Sequence, residues 1–256
     1  MTPSKQYPAW LVIAIFVSLS CQKEIVRDRV YEPDYALEFD GATTFVEISM
    51  MREQQPAQLT VEVMINLDDL SLGSIPIIAQ SDLDQWNRAE GFIVKYEELR
   101  LYWCLASATR TADAVGASVA LQPKRWYHIA CTFDGRIARV FLDGKLLVEE
   151  PRKPFIDYGD RGFSIGRGRH TAFGGDLFFK GQMDEIRLWD HARTETQILT
   201  HRHRPLVGDE SGLIGYWNFN GRAEYFDPAE DRSPSRNHGQ VAGKIRLVRS
   251  TAFSGQ

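Results

Sequence analysis

Short runs in which apolar and polar residues alternate recur along the chain from residue 35 to residue 189. Among them are YALEF, TFVEIS, LTVEVMINL, LRLYWCLA, WYHIACTF and GQMDEIRLW. A period of two is typical of a β-strand with one buried face, and Gly- or Pro-containing breaks separate the runs. No long stretch before Thr194 carries a clear helical period. The pattern therefore predicts an all-β sandwich or barrel and argues against a βαβ fold.

The stretch Thr132–Glu150, TFDGRIARVFLDGKLLVEE, contains two Asp-Gly pairs with a seven-residue alternating run between them. Asp-Gly favours tight hairpin turns, because Gly adopts positive φ at little cost and Asp tolerates it. The stretch is therefore predicted to be an antiparallel meander. One short helix is predicted near residues 194–203, where Thr194 can cap the first turn and Ile198 can pack on a sheet.

Five blocks of the chain occur in a characteristic order and spacing: YALEFDGATTFVEI, LTVEVMINLDD, RWYHIACTFDGRIARVFLDGKLLVE, FSIGRG and FKGQMDEIRLWDHARTETQI. Together they resemble the laminin G-like (LamG) jelly-roll family of the concanavalin A-like lectin/glucanase superfamily. The resemblance covers about residues 31–204 and implies a two-sheet antiparallel sandwich over 34–204. Residues 205–256 resemble a segment that often follows such modules. Because Leu213, Trp217 and Phe219 need burial and the tail is too short for its own core, we expect this segment to pack on the same sandwich.

The composition narrows the class of protein. The 256 residues are 43% hydrophobic and 11% aromatic, which is enough for a large core and argues against disorder. The formal net charge is −4 with both signs interspersed, so the sequence indicates neither a nucleic-acid surface nor a polybasic membrane patch.

The N-terminus, residues 1–20, is predicted to be a signal peptide of the lipoprotein type. Its apolar run AWLVIAIFVSLSC ends at Cys21 and is too short for a comfortable membrane span. SLSC loosely resembles a bacterial lipobox, which implies lipidation of Cys21. Residues 21–33 would then be a tether, and the membrane would be reached only through the lipid. Plain secretion and a retained anchor are the alternatives; each places the protein in the cell envelope or outside the cell.

The other two cysteines, Cys104 and Cys131, are predicted to remain unpaired. Cys131 alternates with Ile129 and Phe133 and so faces the core, whereas Cys104 lies on the opposite face from its bulky apolar neighbours. Opposite faces do not provide the converging Cβ vectors that a disulfide needs.

The superfamily contains glycoside hydrolases, which place two carboxylates across one sugar bond, roughly 5–9.5 Å apart. Here Asp184 and Glu185 are sequence neighbours on a predicted strand and should point to opposite faces. The sequence therefore predicts a protein that is not an enzyme.

Calcium is the cofactor that the resemblance implies, in a structural role near the pairing of the first and last strands of the module. Asp40 ends the first strand, the carbonyl of Gly41 is open to approach, and Asp184 lies on the last strand. Hard oxygen ligands of these kinds are the ones that calcium prefers. The alternative is that Asp40 only forms a turn and that Asp184 caps a strand end.

A ligand is expected at the loops, because the strands use most of their side chains to pack the sheets. One loop spans residues 81–91 and the other spans residues 166–175. In the first, Trp86 offers a stacking surface and Asn87 a hydrogen-bonding amide; the second contributes Arg167, Arg169 and His170. The alternative is that both loops only seal the edges of the sandwich.

These observations predict an exported binding module whose partner is a glycan. A structural calcium ion is expected to support the module. A protein-adhesion or scaffold module without a small-molecule site is the second hypothesis, and a glucanase-type enzyme is the third. Several aromatic and amide side chains along one cleft would favour the glycan, and a flat charged rim would favour a protein partner.

Overall fold

The computed structural model describes residues 34–49, 55–71, 73–80, 90–106, 112–153, 155–170, 174–220 and 229–253. They belong to one compact unit, Pro33–Gln256. The predicted signal peptide, Cys21 and the predicted tether lie outside the described residues. No helix in these ranges is long and apolar enough to cross a membrane.

The described chain is built almost entirely of β-strands. In chain order they are β1 (Tyr35–Asp40), β2 (Phe45–Ile48), β3 (Leu59–Leu67), β4 (Ser74–Ala79), β5 (Phe92–Glu97), β6 (Arg100–Ala106), β7 (Ala112–Ser118), β8 (Trp126–Phe133), β9 (Ile137–Leu142), β10 (Lys145–Pro151), β11 (Phe163–Ile165), β12 (Arg167–His170), β13 (Gly175–Phe178), β14 (Lys180–Trp189), β15 (Leu213–Trp217), β16 (Gly239–Ala242) and β17 (Leu247–Arg249).

Two antiparallel sheets pack face to face. Sheet A has eight strands in the order β10-β9-β8-β3-β14-β1-β17, with β15 also paired to β14. Sheet B has seven strands in the order β16-β2-β11-β4-β5-β6-β7. The strands β12 and β13 form a separate two-stranded hairpin. The predicted all-β sandwich is confirmed, including the meander β8-β9-β10 around the two Asp-Gly turns.

The core lies between the two sheets and follows the predicted alternation. One large cluster contains the inward residues of both sheets, such as Val46, Ile48 and Trp103 from sheet B and Val63 and Ile129 from sheet A. Burial of alternate side chains between sheets about 10 Å apart is what stabilises this architecture.

The chain beyond residue 204 adds strands to both sheets. Strand β15 pairs with the second half of β14, β16 pairs with β2, and β17 pairs with β1. Leu213, Trp217 and Phe219 are all buried, as their apolar character predicts.

The one α-helix among the described residues, α1 (Glu195–His201), begins where the sequence predicts it. Thr194 is its N-cap, and Thr194 and Gln197 form a reciprocal capping box. Ile198 is fully buried against Ala130 and Phe141 on the outer face of sheet A. The helix therefore covers part of that face.

Strand β14 departs from the regular alternation at Asp184 and Glu185. The pairing with β3 shifts there, and Glu185 has a φ of 52°. Met183 and Ile186 both lie in the core. The bulge therefore directs both intervening carboxylates outward, and the prediction that they point to opposite faces is wrong. Both side chains are nonetheless buried, at 0% and 1% exposure.

The thiols of Cys104 and Cys131 are free and buried. Cys131 belongs to the core between the sheets, whereas Cys104 packs on the outer face of sheet B with Ala79 and Ile93. Burial raises the pKa of both thiols, that of Cys104 to about 12, so neither is a reactive thiolate at neutral pH.

Candidate functional site

A cleft of about 450 Å³ opens on the outer face of sheet B, and we call it the arginine cleft. Its volume lies within the range of roughly 300–1,000 Å³ that is usual for ligand pockets. Strands β2, β4 and β11 and the β12–β13 hairpin contribute to it. It is lined by Glu47, Ala79, Gln80, Arg161, Gly162, Ser164, Arg167, Gly168, Arg169 and Asp176.

Strand alternation places two of the polar lining residues side by side. Glu47 lies between Val46 and Ile48, which are buried in the core, so its side chain points outward. Ser164 likewise lies between two core residues of β11 and is the direct cross-strand partner of Glu47. The Ser164 hydroxyl donates a hydrogen bond of 3.0 Å to Glu47 Oε2.

The β12–β13 hairpin forms one side of the cleft and is anchored to the sheet. Where the sequence predicts a loop at residues 166–175, β12 pairs with β13 from Arg167 to His170. Leu177 of this hairpin packs against Ala79 and Ile93 on the outer face of sheet B. An apolar contact of this kind fixes the position of the hairpin, which the sequence pattern alone did not indicate.

Arg167 is the central cation of the cleft. Its Nη2 donates hydrogen bonds to Glu47 Oε2 at 2.7 Å and to Ser164 Oγ at 3.1 Å. Its Nη1 lies 3.9 Å from Asp176 Oδ2. Its guanidinium group also stacks 3.8 Å from the centre of the Phe45 ring. Four neighbours thus hold one guanidinium in a fixed orientation.

Arg169 and His170 follow on the same strand but differ in exposure. Arg169 is exposed, lines the cleft and is the cross-strand partner of Asp176. His170 is only 8% exposed and does not line the cleft. Alternation along β12 therefore keeps one predicted ligand residue at the surface and removes the other.

The turn that carries Arg161 also lines the cleft. Gln80 holds this turn, because its Nε2 donates to the carbonyl oxygens of Tyr158 at 2.7 Å and Arg161 at 2.9 Å. The Arg161 side chain itself is 66% exposed, with its Nε 3.7 Å from Glu90 Oε2. The backbone of this turn is thus held by hydrogen bonds, whereas the guanidinium group is mostly exposed.

The charge of the cleft differs from that of the whole chain. Three guanidinium groups, of Arg161, Arg167 and Arg169, stand against two carboxylates, of Glu47 and Asp176. The chain as a whole carries a formal net charge of −4. With Glu90 beside Arg161, three carboxylates balance the three guanidinium groups in and around the cleft. Exposed guanidinium groups still attract anionic or strongly polar ligands.

A protein-family model identifies the superfamily to which the chain belongs. The family model Laminin_G_3, described as the concanavalin A-like lectin/glucanases superfamily, matches residues 40–199, which is more than half of the chain. The chain belongs to this superfamily. No curated protein sequence matches the chain at a significant level.

Solved structures share the superfamily fold at low sequence identity. A candidate carbohydrate binding protein from Bacteroides ovatus has a TM-score of 0.63 and 20% identity, over 85% of this chain and 60% of that protein. A heptameric SAP-like pentraxin from Limulus polyphemus has a TM-score of 0.57 and 17% identity, over 88% and 99%. The sialidase module CBM40 from Ruminococcus gnavus, bound to α2,3 sialyllactose, has a TM-score of 0.50 and 10% identity, over 64% and 95%. At these identities the likenesses establish the fold.

The predicted ligand residues separate into three groups. Arg167 and Arg169 come together in the arginine cleft, whereas His170 does not face it. Trp86 and Asn87 lie outside the described residues. The sequence analysis missed Glu47, Ser164 and Asp176. The only signal for Glu47 was a charged residue at the outward position of the strand run TFVEIS.

The calcium ligands that superfamily resemblance implied do not fit an ion at Asp40. Its Oδ1 already accepts the backbone N–H groups of Ala42, Thr43 and Thr44, and its Oδ2 accepts the Thr43 hydroxyl. Slight burial would raise the pKa of Asp40, but these hydrogen bonds, first those of Thr43, lower it well below its usual range. Gly41 has a φ of 75° and completes the same turn.

Asp184 lies too far along its strand to share an ion with Asp40. The strand partner of Asp40 is Lys180, so Asp184 is four positions, on the order of 13 Å, further along β14. Its Oδ2 accepts a 2.6 Å hydrogen bond from the Ser250 hydroxyl. Burial, and then the charges of Glu185 and Asp34, raise the pKa of Asp184 well above its usual range, which opposes a role as an ionised ligand.

The structure therefore does not bring the three predicted ligands into one site, and the prediction of that site is wrong. Within the described ranges, no group of three or more His, Cys, Asp or Glu side chains is arranged to hold a metal ion. Calcium binding itself stays a prediction without a ligand set.

A second group of charged side chains lies on the outer face of sheet A, and we call it the covered network. Glu62 on β3 pairs with Arg193 Nη1 through Oε1, while its Oε2 lies 3.1 Å from His128 Nε2. Arg187 on β14 pairs with Glu185 and lies 3.7 Å from Glu62. The side chains of all five are at most 4% exposed.

Burial and neighbouring charges shift the pKa values of the side chains in the covered network. Burial would raise the pKa of Glu62, but the hydrogen bond and charge of His128, with the charges of Arg187 and Arg193, lower it to about 2. Burial lowers the pKa of His128. The network is thus a set of paired side chains that is almost fully shielded from solvent and from any ligand.

Proposed function

We propose that this protein is a non-catalytic carbohydrate-binding module whose ligand binds in the arginine cleft. The observation that carries the proposal is the Glu47–Ser164–Arg167 cluster, a fixed acceptor beside a fixed donor on the open face of a sheet. Adjacent sugar hydroxyls need such a combination, since each hydroxyl both donates and accepts.

The cluster retains hydrogen-bonding capacity for a ligand. Both hydrogen bonds from Ser164 and Arg167 reach Glu47 Oε2, and Oε1 has no partner among the described residues. Arg167 Nη1 is 3.9 Å from Asp176, beyond hydrogen-bond range. One free acceptor and one free donor therefore remain within the same ion pair. A pair of neighbouring hydroxyls on a sugar ring matches them.

The likeness to solved structures of the same fold supports this assignment. The Bacteroides protein is described as a candidate carbohydrate binder, and the CBM40 module has bound sialyllactose. The chain spans 60% of the length of the Bacteroides protein, so only this domain of that protein is comparable.

Binding without catalysis is part of the proposal. A glycoside hydrolase needs a sugar bond to pass between two carboxylates. In the arginine cleft, Arg167 contacts both Glu47 and Asp176 and so occupies the space between them. Asp184 and Glu185 are buried beneath the outer face of sheet A. Neither pair can flank a bond.

We also propose that the protein is exported and anchored through Cys21, on the basis of the N-terminal sequence AWLVIAIFVSLSC. Labelling of cells with a fatty-acid analogue should mark the protein, and Cys21→Ser should abolish the label. Equal labelling of the variant would contradict the anchor.

The glycan proposal is tested by a glycan array on the full chain, followed by titration of any ligand found. Glu47→Gln keeps the shape but removes the carboxylate, and we expect at least about tenfold weaker binding, which corresponds to one charged hydrogen bond. Glu98→Gln is the matched control, because Glu98 is an exposed carboxylate in the turn between β5 and β6 and does not line the cleft.

The proposal fails if the variant Glu47→Gln binds the array ligand as tightly as the parent at an unchanged melting temperature. It also fails if the array is empty and pull-down from culture recovers only a protein partner, which would favour the adhesion hypothesis.

A further inference from the structure

The three arginines of the arginine cleft differ in how fully their guanidinium groups are paired with other residues of the protein. Arg167 is bound by Glu47 and Ser164 and lies near Asp176, so its charge is largely compensated within the protein. Arg169 is exposed and forms no ion pair or hydrogen bond with any described side chain. Arg161 is 66% exposed, and its nearest carboxylate, that of Glu90, is 3.7 Å away. Two guanidinium groups therefore remain available to a ligand.

These two guanidinium groups stand on different parts of the cleft. Arg169 lies on β12, which its hairpin partner anchors to sheet B, and Arg161 lies on the turn that Gln80 holds. The compensated ion pair of Glu47 and Arg167 belongs to the same cleft. A ligand in this space would meet a hydroxyl-binding cluster with two exposed guanidinium groups close by, of which Arg161 is paired only at 3.7 Å with Glu90.

A neutral sugar would leave those charges uncompensated as it displaced water from them, which is unfavourable. An oxyanion would instead accept two parallel N–H hydrogen bonds from a guanidinium, the strongest recognition that arginine offers. We infer that the arginine cleft selects anionic carbohydrates, in which a carboxylate on the sugar ring binds Arg169 and Arg161 while the ring hydroxyls bind Glu47 and Arg167. This inference rests on the proposed function and names its ligand class.

The test compares acidic sugars with neutral partners of the same shape. Suitable pairs are oligogalacturonate with its methyl ester, and sialyllactose with lactose; a sulfated oligosaccharide tests whether sulfate replaces carboxylate. We expect at least one carboxylate-bearing probe to bind the full chain about tenfold or more tightly than its neutral partner. Affinity should fall when ionic strength rises from about 0.05 M to 0.5 M, since salt screens exposed charges.

Two substitutions connect this preference to the cleft. Arg169→Ala and Arg161→Ala should each weaken the acidic probe about fivefold or more, and each should reduce the salt dependence. Arg125→Ala removes the same charge from another exposed arginine, whose side chain is 60% exposed, and should leave binding unchanged. Melting temperatures of all three variants should match that of the parent, because these side chains are exposed.

The outcomes separate this inference from the proposed function. If neutral and acidic partners bind equally and Glu47→Gln abolishes both, the module is a carbohydrate binder but its preference for anions is refuted. If Arg169→Ala and Arg161→Ala behave like Arg125→Ala, the assignment of the anion to these residues is refuted. A preference for the sulfated probe over every carboxylate would overturn the choice of carboxylate. Absence of binding to every probe would overturn both proposals.

Discussion

On the outer side of each sheet an arginine pairs with a glutamate from another strand, yet the two pairs differ in exposure. On sheet A, Arg187 and its cross-strand partner Glu62 have side chains that are 1% and 0% exposed. On sheet B, the Arg167 and Glu47 side chains are 27% and 45% exposed. The same residue types on the same kind of surface thus form a buried structural network in one place and an open cleft in the other.

The difference lies in what covers each arginine. Helix α1 and the residues after it lie over sheet A, where Arg187 Nη1 donates to the carbonyl oxygen of His201 and Nη2 to that of Arg204. The backbone thereby takes up donors that water or a ligand would otherwise use. On sheet B no such segment caps Arg167 among the described residues, and a donor remains for a ligand. Burial makes an ion pair structural, and exposure leaves it available for binding.

The largest effect is expected when an arginine of the covered network is removed. Arg187→Met leaves Glu185 and Glu62 buried without this counter-charge, and loss of one partner of a buried pair costs about 3–5 kcal/mol. For a chain of this size that corresponds to a melting temperature lower by about 10 °C. Thermal unfolding followed by circular dichroism measures it.

The control for that experiment is Arg125→Met, since the Arg125 side chain is 60% exposed and its nearest carboxylate is 4.0 Å away. It should unfold within about 2 °C of the parent, because exposed pairs contribute little. Equal unfolding temperatures for Arg187→Met and the parent would show that the covered network does not stabilise the fold.

A slightly smaller effect should appear as a pH dependence in the same network. The pKa of Glu62 is lowered from 4.5 to about 2 on folding, so its contribution is complete above pH 4.5 and is lost as pH falls towards 2. The shift corresponds to about 3 kcal/mol. The stability difference between the parent and Glu62→Gln should therefore be largest at neutral pH and shrink in acid.

The test compares the stability of the parent with that of Glu62→Gln at each pH. The stability of the parent alone is not sufficient, because ionisation of Asp184 and Glu185 changes it with pH in the opposite direction. Burial, first of all, raises the pKa of both carboxyls, so they favour the folded state most when protonated at low pH. Urea unfolding of parent and Glu62→Gln at matched pH values removes that common contribution. A difference that does not change between pH 7 and pH 3 would contradict the assignment.

Sequence periodicity predicted the two sheets but not the features that distinguish their outer faces. Alternation identified runs such as TFVEIS and WYHIACTF as strands, and the capping pattern located α1 from Thr194. The bulge at Glu185 was not predictable, because an outward carboxylate and a positive φ leave no mark on a period of two. It emerges only from the pairing of β14 with β3.

The sequence predicted the arginines of the arginine cleft but not their glutamate partner, again because strand pairing was not known. Arg167 and Arg169 were predicted as ligand residues of the loop 166–175, but Glu47 lies 120 positions earlier and meets Arg167 only through the pairing of β2 with β11. Strand register across that separation cannot be derived from one sequence. The predicted calcium site failed for the same cause, since the neighbouring strands were predicted correctly and their register was not.

A modest loss of stability is expected when the N-cap of helix α1, which covers part of sheet A, is removed. Thr194→Ala removes the side-chain acceptor for the N–H of Gln197 and so breaks the capping box. Loss of an N-cap of this type costs about 1 kcal/mol, or a few degrees in melting temperature. Thr194→Ser retains the acceptor and should restore the parent value; an equal loss in both variants would assign the effect to packing instead of capping.

The smallest effect on stability is expected at the arginine of the open face, where the effect on binding should be the largest. Arg167→Met is the same substitution as Arg187→Met, but the pair it breaks is partly solvated, so we expect a loss below about 1 kcal/mol. The remaining carboxylate of Glu47 stays hydrated and bonded to Ser164, so no charge is left buried. Thermal unfolding and titration with the best array ligand should therefore diverge, with melting nearly unchanged and binding lost. A fall in melting temperature as large as that of Arg187→Met would show that this pair, too, serves the fold, and the contrast between the two faces would no longer hold.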